Sequence, residues 1–145
     1  MSLIENVLPP FDKCAIVVDG ALPAGLAMNA AAVLAFSLGH SYGQPVLGPD
    51  VKDRDGQVHR AITAAPIPIL RADAAGLRTI VAKASADPEL FLVDFTEVAQ
   101  AARDYGDYTA SMGAAGSDEH VYAGLALVGS KKSVNRLTGS MPLYR

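Results

Sequence analysis

The chain has 145 residues, of which 50% are hydrophobic and 19% are charged, and its formal net charge is −3. This composition indicates one globular domain and excludes an intrinsically disordered chain. A charged fraction below the usual share of about 25% leaves less charge to cover the surface, which favours a homo-oligomer. The negative net charge gives no global attraction to nucleic acid. The single cysteine, Cys14, excludes an internal disulfide and a zinc-type cysteine pair, as expected in a reducing compartment.

The first residues, 1–12, are interpreted as an N-terminal leader, because Pro9 and Pro10 end any regular structure there. They lack the basic start and long apolar core of a secretory signal peptide, so a soluble cytoplasmic protein is expected. Residues 13–19, KCAIVVD, form a continuous apolar run that ends in an aspartate. Such a run is typical of a strand buried on both faces of a sheet.

A helix predicted at residues 24–38, AGLAMNAAAVLAFSL, is the element around which we expect the fold to be organised. Only Asn29 and Ser37 carry polar side chains in it. A helix that is apolar all round is normally buried on every side, so other elements or a second subunit must cover it. Gly39 is its predicted stop. At about 15 residues it is shorter than the roughly 20 that span a bilayer, so no membrane contact is expected.

The middle of the chain, residues 40–60, is irregular and rich in Gly, Pro and Asp. Within it, residues 51–58 predict a hairpin that turns at an Asp-Gly pair. The next strand is predicted at 61–70, where Pro66 and Pro68 are two residues apart. Their missing N–H groups lie on the same side of the strand, so this strand is predicted to lie at the edge of the sheet.

The remaining elements alternate between helices and buried strands. Asp73 is positioned to cap a helix whose apolar residues recur at helical spacing, and Ser130 to cap a short helix that ends at Gly139. The other predicted elements are a strand at 89–94, helices at 97–103 and 105–112, a strand at 121–128 and a short strand in the tail at 140–145. This order predicts a single α/β domain over residues 1–145, with three α/β/α layers and a mixed sheet of about four to five strands.

Three segments carry a resemblance to known proteins: KCAIVVD with the alanine-rich helix after it, LVDFTEVAQ, and LVGSKKSVNRLTGSMPLYR. Together they resemble an uncharacterised bacterial family over nearly the whole chain. That family is similar in fold to the second type of peptidyl-tRNA hydrolase. The similarity to the hydrolases rests on the first strand and helix, the strand ending in Asp94, and the pattern Leu-Thr-Gly-x-Met-x-Leu at 137–143.

The chain departs from the hydrolases at the positions that carry their motifs. The hydrolases begin their first helix with glycines and lysines and carry a histidine in it, whereas residues 25–32 here contain neither lysine nor histidine. Their strand-end aspartate is followed by Ala-Gly-x-Thr, whereas Asp94 is followed by Phe95 and Thr96. The resemblance therefore implies the fold more strongly than the reaction.

Asp94 and Thr96 are the predicted catalytic residues, because ligands of α/β sheets gather outside the carboxyl ends of the strands. Asp94 would act as a general base or orient a water, and Thr96 would donate a hydrogen bond. The alternative is that Asp94 caps the next helix together with Glu97. Asp19 ends the first strand and would line the same crevice if the first and third strands were neighbours; otherwise it is a solvated strand-end carboxylate.

Five further residues are candidates for ligand binding. Asn29 in the apolar helix needs a partner, from the protein, a water or a ligand, because burying an unpaired amide costs roughly 1–3 kcal/mol. Lys131 and Lys132 begin the last predicted helix, where their charges oppose the helix dipole unless an anion is bound. With Arg136 and Lys13 they predict a site for a small phosphate or carboxylate ligand; the alternative is that the lysines are simply solvated.

Neither a metal site nor a cofactor is predicted. Asp50, Asp53 and Asp55 precede a glycine but lack the ligand pattern of a calcium loop, so they are interpreted as a turn. The histidines share no metal-ligand spacing, and no serine lies in a Gly-x-Ser-x-Gly elbow.

Two functions from different classes follow. The first is a small-ligand-binding or regulatory homo-oligomer, a dimer or larger. The second is a hydrolase of peptidyl-tRNA-like esters that uses Asp94 and Thr96. Transfer RNA is disfavoured as a partner, because a complex must neutralise several phosphates and no basic surface is evident. A basic, open cleft at the Asp94 end of the sheet would favour the hydrolase, and a closed or acidic one the binding protein.

Overall fold

The computed structural model describes residues 8–43 and 46–145. Within these residues the chain forms one α/β domain with a mixed four-stranded sheet, a two-stranded hairpin and five helices, so the predicted class is confirmed. In chain order the elements are β1 (Lys13–Asp19), α1 (Ala24–Tyr42), β2 (Val51–Lys52), β3 (Val58–His59), β4 (Ile69–Ala72), α2 (Ala74–Ser85), β5 (Phe91–Thr96), α3 (Glu97–Ala101), α4 (Tyr105–Gly113), β6 (Tyr122–Gly129) and α5 (Lys131–Thr138).

The predicted leader is only partly described, since residues 1–7 lie outside the described residues. Its described part packs against the domain. The rings of Phe11 and Tyr42 lie edge to face with centroids 5.2 Å apart, and the Tyr42 hydroxyl donates a hydrogen bond of 2.9 Å to the Pro9 carbonyl. Residues of the described part, 8–12, therefore contact the folded domain.

The main sheet has the strand order β4-β1-β6-β5. β1 pairs in parallel with β4 and antiparallel with β6, and β6 pairs antiparallel with β5. The strands β1, β4 and β5 therefore run in one direction, and their carboxyl ends meet the amino end of β6 at the same edge of the sheet.

The helices form layers on both faces of this sheet. Cys14, Ile16 and Val18 of β1 pack with the buried residues of α1, whereas Ala15 and Val17 pack with those of α2 and α5. This alternation along one strand is the usual period of two. It places α1 on one face and α2 with α5 on the other, which gives the predicted three layers.

The outer face of α1 is uncovered, contrary to the prediction that this helix is buried on every side. The buried stripe that faces the sheet consists of Ala27, Ala30, Leu34 and Leu38. On the opposite side Leu26, Met28 and Phe36 are 44%, 68% and 83% exposed. The prediction fails for the single chain because α2 and α5 both lie on the far face of the sheet and cannot cover α1.

The helix α1 also runs beyond its predicted stop at Gly39. It ends at Tyr42, and the next residue is Gly43, whose φ of 55° lies in the left-handed region that glycine adopts without strain. With 19 residues and no Asp, Glu, Lys or Arg, α1 is, in the described parts of the chain, long and apolar enough to cross a membrane. Core helices of soluble proteins meet the same criteria, and the inner stripe of α1 packs on the sheet.

The strand β4 lies at the edge of the sheet, as its prolines predicted. It begins at Ile69, later than the predicted start at residue 61, because the prolines interrupt the backbone pairing before it. Pro68 contributes only its carbonyl, which accepts a hydrogen bond of 3.0 Å from the N–H of Ile16.

The C-terminal tail covers the outer edge of β4. The N–H of Arg71 donates to the Pro142 carbonyl at 3.0 Å, and the N–H of Tyr144 donates to the Ile69 carbonyl at 2.8 Å. Leu70 and Leu143 form an isolated antiparallel bridge between these two bonds. The predicted tail strand is thus present as a single bridge.

Local capping signals placed two helices correctly. Asp73 caps α2, accepting a hydrogen bond of 2.7 Å from the N–H of Gly76, and Ser130 caps α5, accepting one of 3.1 Å from the N–H of Ser133. The strand β5 begins two residues later than predicted because Asp87 forms a turn with the residues after it.

Candidate functional site

The edge of the sheet where β1, β4 and β5 end and β6 begins carries the predicted acidic residues. Asp19 is the last residue of β1, and Asp94 lies two residues before the end of β5. Ligands of α/β sheets gather at this edge. The two carboxylates do not share a crevice, however, because β6 lies between β1 and β5 and separates them by about 10 Å across the sheet. Asp19 instead holds a turn: it is 8% exposed and accepts a hydrogen bond of 2.9 Å from the N–H of Ala21.

Thr96, and not Asp94, caps the helix α3. The Thr96 hydroxyl accepts a hydrogen bond of 3.2 Å from the N–H of Ala99 and donates to the Met112 sulfur at 3.5 Å. Thr96 is 1% exposed, so its hydroxyl lies beneath the surface between α3 and α4. A side chain does cap α3, as the alternative interpretation predicted. The capping residue is Thr96 rather than Asp94, because β5 extends past Asp94 to Thr96. The Asp94 carboxylate is left for other partners.

Asp94 lies in the wall of a cleft of about 620 Å³ between α2 and the segment that leads into β6. We call it the Asp94 cleft. It is lined by Arg78, Val81, Ala82, Ser85, Asp94, Met112, Ser117, Asp118, His120 and Tyr122. Apolar side chains from α2 and α4 form part of its surface, and five titratable residues line it, as is common in ligand sites.

The electrostatics of the Asp94 cleft differ from those of a surface carboxylate. Although Asp94 is exposed, the groups packed around it desolvate the carboxylate and raise its pKa above the ordinary value of 3.8, while the charge of His120 acts in the opposite direction. Desolvation and then the Asp94 charge also raise the pKa of Tyr122. On α4, the pKa of Tyr108 is raised by the same two causes. Perturbed groups that influence one another in a cleft are typical of functional sites.

Arg78 fixes the wall opposite Asp94. Its guanidinium donates hydrogen bonds to the backbone carbonyls of Asp118 at 2.9 Å and His120 at 3.2 Å. These two bonds tie the segment before β6 to α2 and place His120 in the cleft. Asp94 and Asp118 contribute two carboxylates against the single guanidinium of Arg78, so the cleft is acidic when His120 is neutral.

The predicted basic residues do not converge on an open anion site. The N–H of Lys131 donates a hydrogen bond of 2.9 Å to the carboxylate of Asp12, so a carboxylate from the same chain already lies at the start of α5. Arg136 forms an ion pair of 3.0 Å with Asp87. The Lys13 ammonium donates to the side-chain oxygen of Asn135, and Lys132 is exposed.

Asn29 has a hydrogen-bond partner within the protein. It is exposed, contrary to the expectation of burial, because it lies on the outer side of α1. The Gln100 side-chain amide donates to the Asn29 oxygen at 3.3 Å and to the Leu26 carbonyl at 2.8 Å. Asn29 thereby helps to hold α3 against α1.

The acidic segment around the hairpin is a turn. Asp53 accepts hydrogen bonds of 3.0 Å from the N–H groups of Asp55 and Gln57 and pairs with His59 at 2.9 Å. The bond to His59 is the main reason that the pKa of Asp53 is lowered. Gly56, with φ of 84°, allows the tight reversal between β2 and β3 that the sequence predicted.

The sequence points to Asp94 but not to Arg78, His120 or Tyr122 as residues of this cleft. These residues come from a helix, a loop and a strand that the sheet order brings together, and no spacing in the sequence links them. His120 was set aside because it has no metal-ligand spacing to another histidine.

Comparison with known proteins identifies the family but not the activity. Residues 12–145 match the family described as a protein of unknown function, DUF2000. The chain belongs to this family. No match was found among curated proteins. A solved structure of a protein of unknown function from Agrobacterium tumefaciens strain C58 is similar over 92% of this chain and 97% of its own, with 21% identity and a TM-score of 0.81.

These comparisons support part of the resemblance seen in the sequence. Membership of an uncharacterised family is confirmed by the DUF2000 match. The solved neighbour supports the fold alone, because its identity to this chain is only 21%. The similarity to the second type of peptidyl-tRNA hydrolase stays a prediction.

Proposed function

We propose that this DUF2000 protein binds a small molecule in the Asp94 cleft. The observation that carries the proposal is the Asp94 carboxylate itself, which no helix uses as a cap and whose pKa is raised in a cleft that also holds His120 and Tyr122. An ionised carboxylate that is partly desolvated is stabilised most by a ligand that donates hydrogen bonds to it.

The chemistry of the cleft favours a neutral or cationic ligand. Both carboxylates of the lining are available, whereas Arg78 already donates to two backbone carbonyls. This acidic cleft is the feature expected of the binding protein rather than of a hydrolase that holds a phosphate-rich substrate. A small anionic ligand at Lys131 and Lys132 is disfavoured, because the Asp12 carboxylate already lies at the start of α5.

The experiment is an NMR titration of isotope-labelled protein with a fragment set that contains matched cationic, neutral and anionic members. Cationic and neutral donors are expected to shift the amide signals of Arg78, Asp94, His120 and Tyr122. Asp94→Asn should weaken these fragments at least about tenfold, a loss of one charge-assisted hydrogen bond. Asp55→Asn, which changes an exposed turn, is the matched control. Hits that prefer anions, or that are unchanged in Asp94→Asn, would refute the proposal.

We also propose that the protein is a homo-oligomer that pairs through the outer face of α1. Met28, Ala32 and Phe36 are four residues apart and form one exposed stripe. The residues of α1 include no Asp, Glu, Lys or Arg, so pairing two copies desolvates no formal charge. In a two-fold antiparallel contact centred on Ala32, Phe36 of each copy would meet Met28 of the other, which makes the stripe self-complementary.

Sedimentation velocity tests this pairing. Phe36→Asp should shift the protein from dimer to monomer at the same concentration while the circular dichroism spectrum stays native. Val58→Asp, which introduces the same charge at an exposed apolar residue of β3, should leave the dimer intact. A monomeric native protein, or a dimer that persists in Phe36→Asp, would exclude α1 as the interface.

The second candidate function is hydrolysis of a peptidyl-tRNA-like ester with Asp94 as the general base. The raised pKa of Asp94 favours it, because a general base is most effective when its pKa lies closer to the working pH. In this proposal Thr96 positions the start of α3, and His120 faces the water that Asp94 would activate. The test is release of peptide from a blocked aminoacyl-tRNA by the native protein, Asp94→Asn and Asp55→Asn. Turnover lost only in Asp94→Asn would support hydrolysis, and no turnover in the native protein would refute it.

A further inference from the structure

A second cavity lies on the α1 face of the sheet, near the last turns of α1. It has a volume of about 300 Å³, and we call it the Tyr42 cavity. It is lined by Phe11, Cys14, Ala35, Leu38, Gly39, Tyr42, Gly43, Val46, Leu47, Thr63 and Ile67. None of these described lining residues carries a formal charge. The Asp94 cleft, in contrast, is acidic and lies on the α2 side of the sheet.

The cavity has space because two small residues of α1 face it. Ala35 and Gly39 are one helical turn apart, and a Cβ added to Gly39 would meet no atom within 4 Å. Larger side chains at either position would fill part of the volume. Ala35 is half-buried and Gly39 is exposed, so together they leave open space beside the last turns of α1.

The walls of the cavity are held in place by packing and by hydrogen bonds. The Tyr42 ring lies edge to face against Phe11 and against Phe91, with centroids 5.2 Å and 5.6 Å away. Its hydroxyl donates to the Pro9 carbonyl, and the Cys14 thiol donates to the Pro66 carbonyl at 3.5 Å. The polar atoms of Tyr42 and Cys14 are therefore already used within the protein, which leaves mainly carbon surface for a ligand.

We propose that the Tyr42 cavity binds an uncharged, apolar molecule about the size of two fused or linked aromatic rings. An apolar cavity of about 150 Å³ binds benzene, so a cavity of about twice that volume suits a larger ring system or a short branched chain. Binding is favourable because the ligand replaces empty or poorly hydrated volume with van der Waals contacts. A charged group would have to be buried without a partner, which the lining does not offer.

The experiment uses two fluorescent probes with the same aromatic skeleton. Phenylnaphthylamine is uncharged, and anilinonaphthalene sulfonate differs from it by an anionic group. Phenylnaphthylamine should bind one site per chain at least about tenfold more tightly than the sulfonate, consistent with the cost of burying a charge. Gly39→Leu and Ala35→Leu should each weaken phenylnaphthylamine at least about tenfold. Ala75→Leu, at an exposed position of α2, is the matched control and should have no effect.

A chemical readout locates the probe without relying on its fluorescence. Cys14 is the single cysteine of the chain, it is 1% exposed, and it lines the cavity. Bound phenylnaphthylamine should slow the alkylation of Cys14 by N-ethylmaleimide severalfold in the native protein but not in Gly39→Leu. Asp94→Asn should bind phenylnaphthylamine normally, which separates this inference from the proposed function.

Three outcomes would overturn the inference. These are an absence of saturable phenylnaphthylamine binding, equal affinity for the two probes, or unchanged affinity in folded Gly39→Leu and Ala35→Leu. Loss of probe binding in Phe36→Asp instead would place the probe on the exposed outer face of α1 and would equally refute the cavity as its site.

Discussion

The carboxylate of Asp12 accepts a hydrogen bond of 2.9 Å from the backbone N–H of Lys131. This contact joins the segment before β1 to the first turn of α5, although the two residues are far apart in the chain. An anion at a helix N-terminus interacts favourably with the helix dipole and with the unpaired N–H groups. Asp12 therefore supplies the negative charge that Lys131 and Lys132 would otherwise draw from a ligand.

We expect Asp12→Ala to lower the free energy of unfolding by about 0.5–1.5 kcal/mol, measured by urea denaturation, because one hydrogen bond and a favourable dipole interaction are lost. Sulfate should then stabilise Asp12→Ala more than it stabilises the native protein at the same ionic strength. Asp55→Ala is the control for a lost surface carboxylate. Equal sulfate effects in all three proteins would show that the start of α5 is not an anion position.

The pH dependence of stability should reveal the environment of Asp94. Its pKa is raised in the folded protein, so the fold holds this proton more tightly than the unfolded chain does. Stability is then lost as the pH rises from the ordinary value of 3.8 through the raised pKa. Asp94→Asn, which cannot ionise, should have a higher Tm than the native protein at neutral pH, and this gain should shrink as the pH falls below 3.8.

Asp53→Asn is a control whose Tm should change in the opposite direction to that of Asp94→Asn. The pKa of Asp53 is lowered, chiefly by the hydrogen bond from His59, so its contribution is present above the ordinary value of 3.8 and is lost as the pH falls through the lowered pKa. Asp53→Asn should therefore have a lower Tm than the native protein at neutral pH. A higher Tm for both variants would indicate an effect of net charge rather than of the two sites.

Substitution of Thr96 separates a structural role from a catalytic one. Thr96→Val removes the cap of α3 but keeps the shape of the side chain, and should reduce the free energy of unfolding by about 1 kcal/mol. Thr96→Ser keeps the hydroxyl and should reduce the free energy of unfolding by less than Thr96→Val does. Neither change should alter the affinity of fragments for the Asp94 cleft, which Thr96 does not line. A selective loss of binding in Thr96→Val with unchanged stability would restore Thr96 as a site residue.

Two glycine substitutions should have opposite effects on stability. A Cβ at Gly124 of β6 would lie 2.8 Å from the Val17 carbonyl oxygen and 3.0 Å from Leu34 of α1, so Gly124→Ala should destabilise the protein by about 1–3 kcal/mol. Gly39→Ala enters open space within a helix and should stabilise it by about 0.5–1 kcal/mol. Urea denaturation of both variants measures the difference, and similar effects would show that α1 does not depend on close contact with β6.

The sequence predicted those parts of the fold that depend on neighbouring residues. The apolar run of β1 and the caps Asp73 and Ser130 gave correct starts for their elements, because each signal acts within one turn or one strand. The end of α1 was missed because a glycine within a helix can keep the helical conformation, and α1 ends only where the backbone turns to positive φ. Gly43 makes that turn, whereas Gly39 keeps the helical conformation.

The site was harder to predict than the fold. Asp94 could be found because it ends an apolar run, but its partners depend on the placement of β6 between β1 and β5, which no local pattern encodes. The same placement separates Asp19 from Asp94. Hydrogen bonds from Arg78 of α2 to the loop before β6 bring Arg78 and His120 to Asp94. Arg78 and His120 are 42 positions apart in the chain.

The pairing of the C-terminal tail with β4 protects an open edge of the sheet. Until residues 142–144 have left the ribosome, the outer side of Ile69 and Arg71 presents unpaired backbone groups to any other extended chain. A protease that removed this segment would recreate that open edge and would take away Tyr144 at the margin of the core, while the fully buried core residues would remain. The first sign of such damage would be aggregation of otherwise folded molecules rather than unfolding.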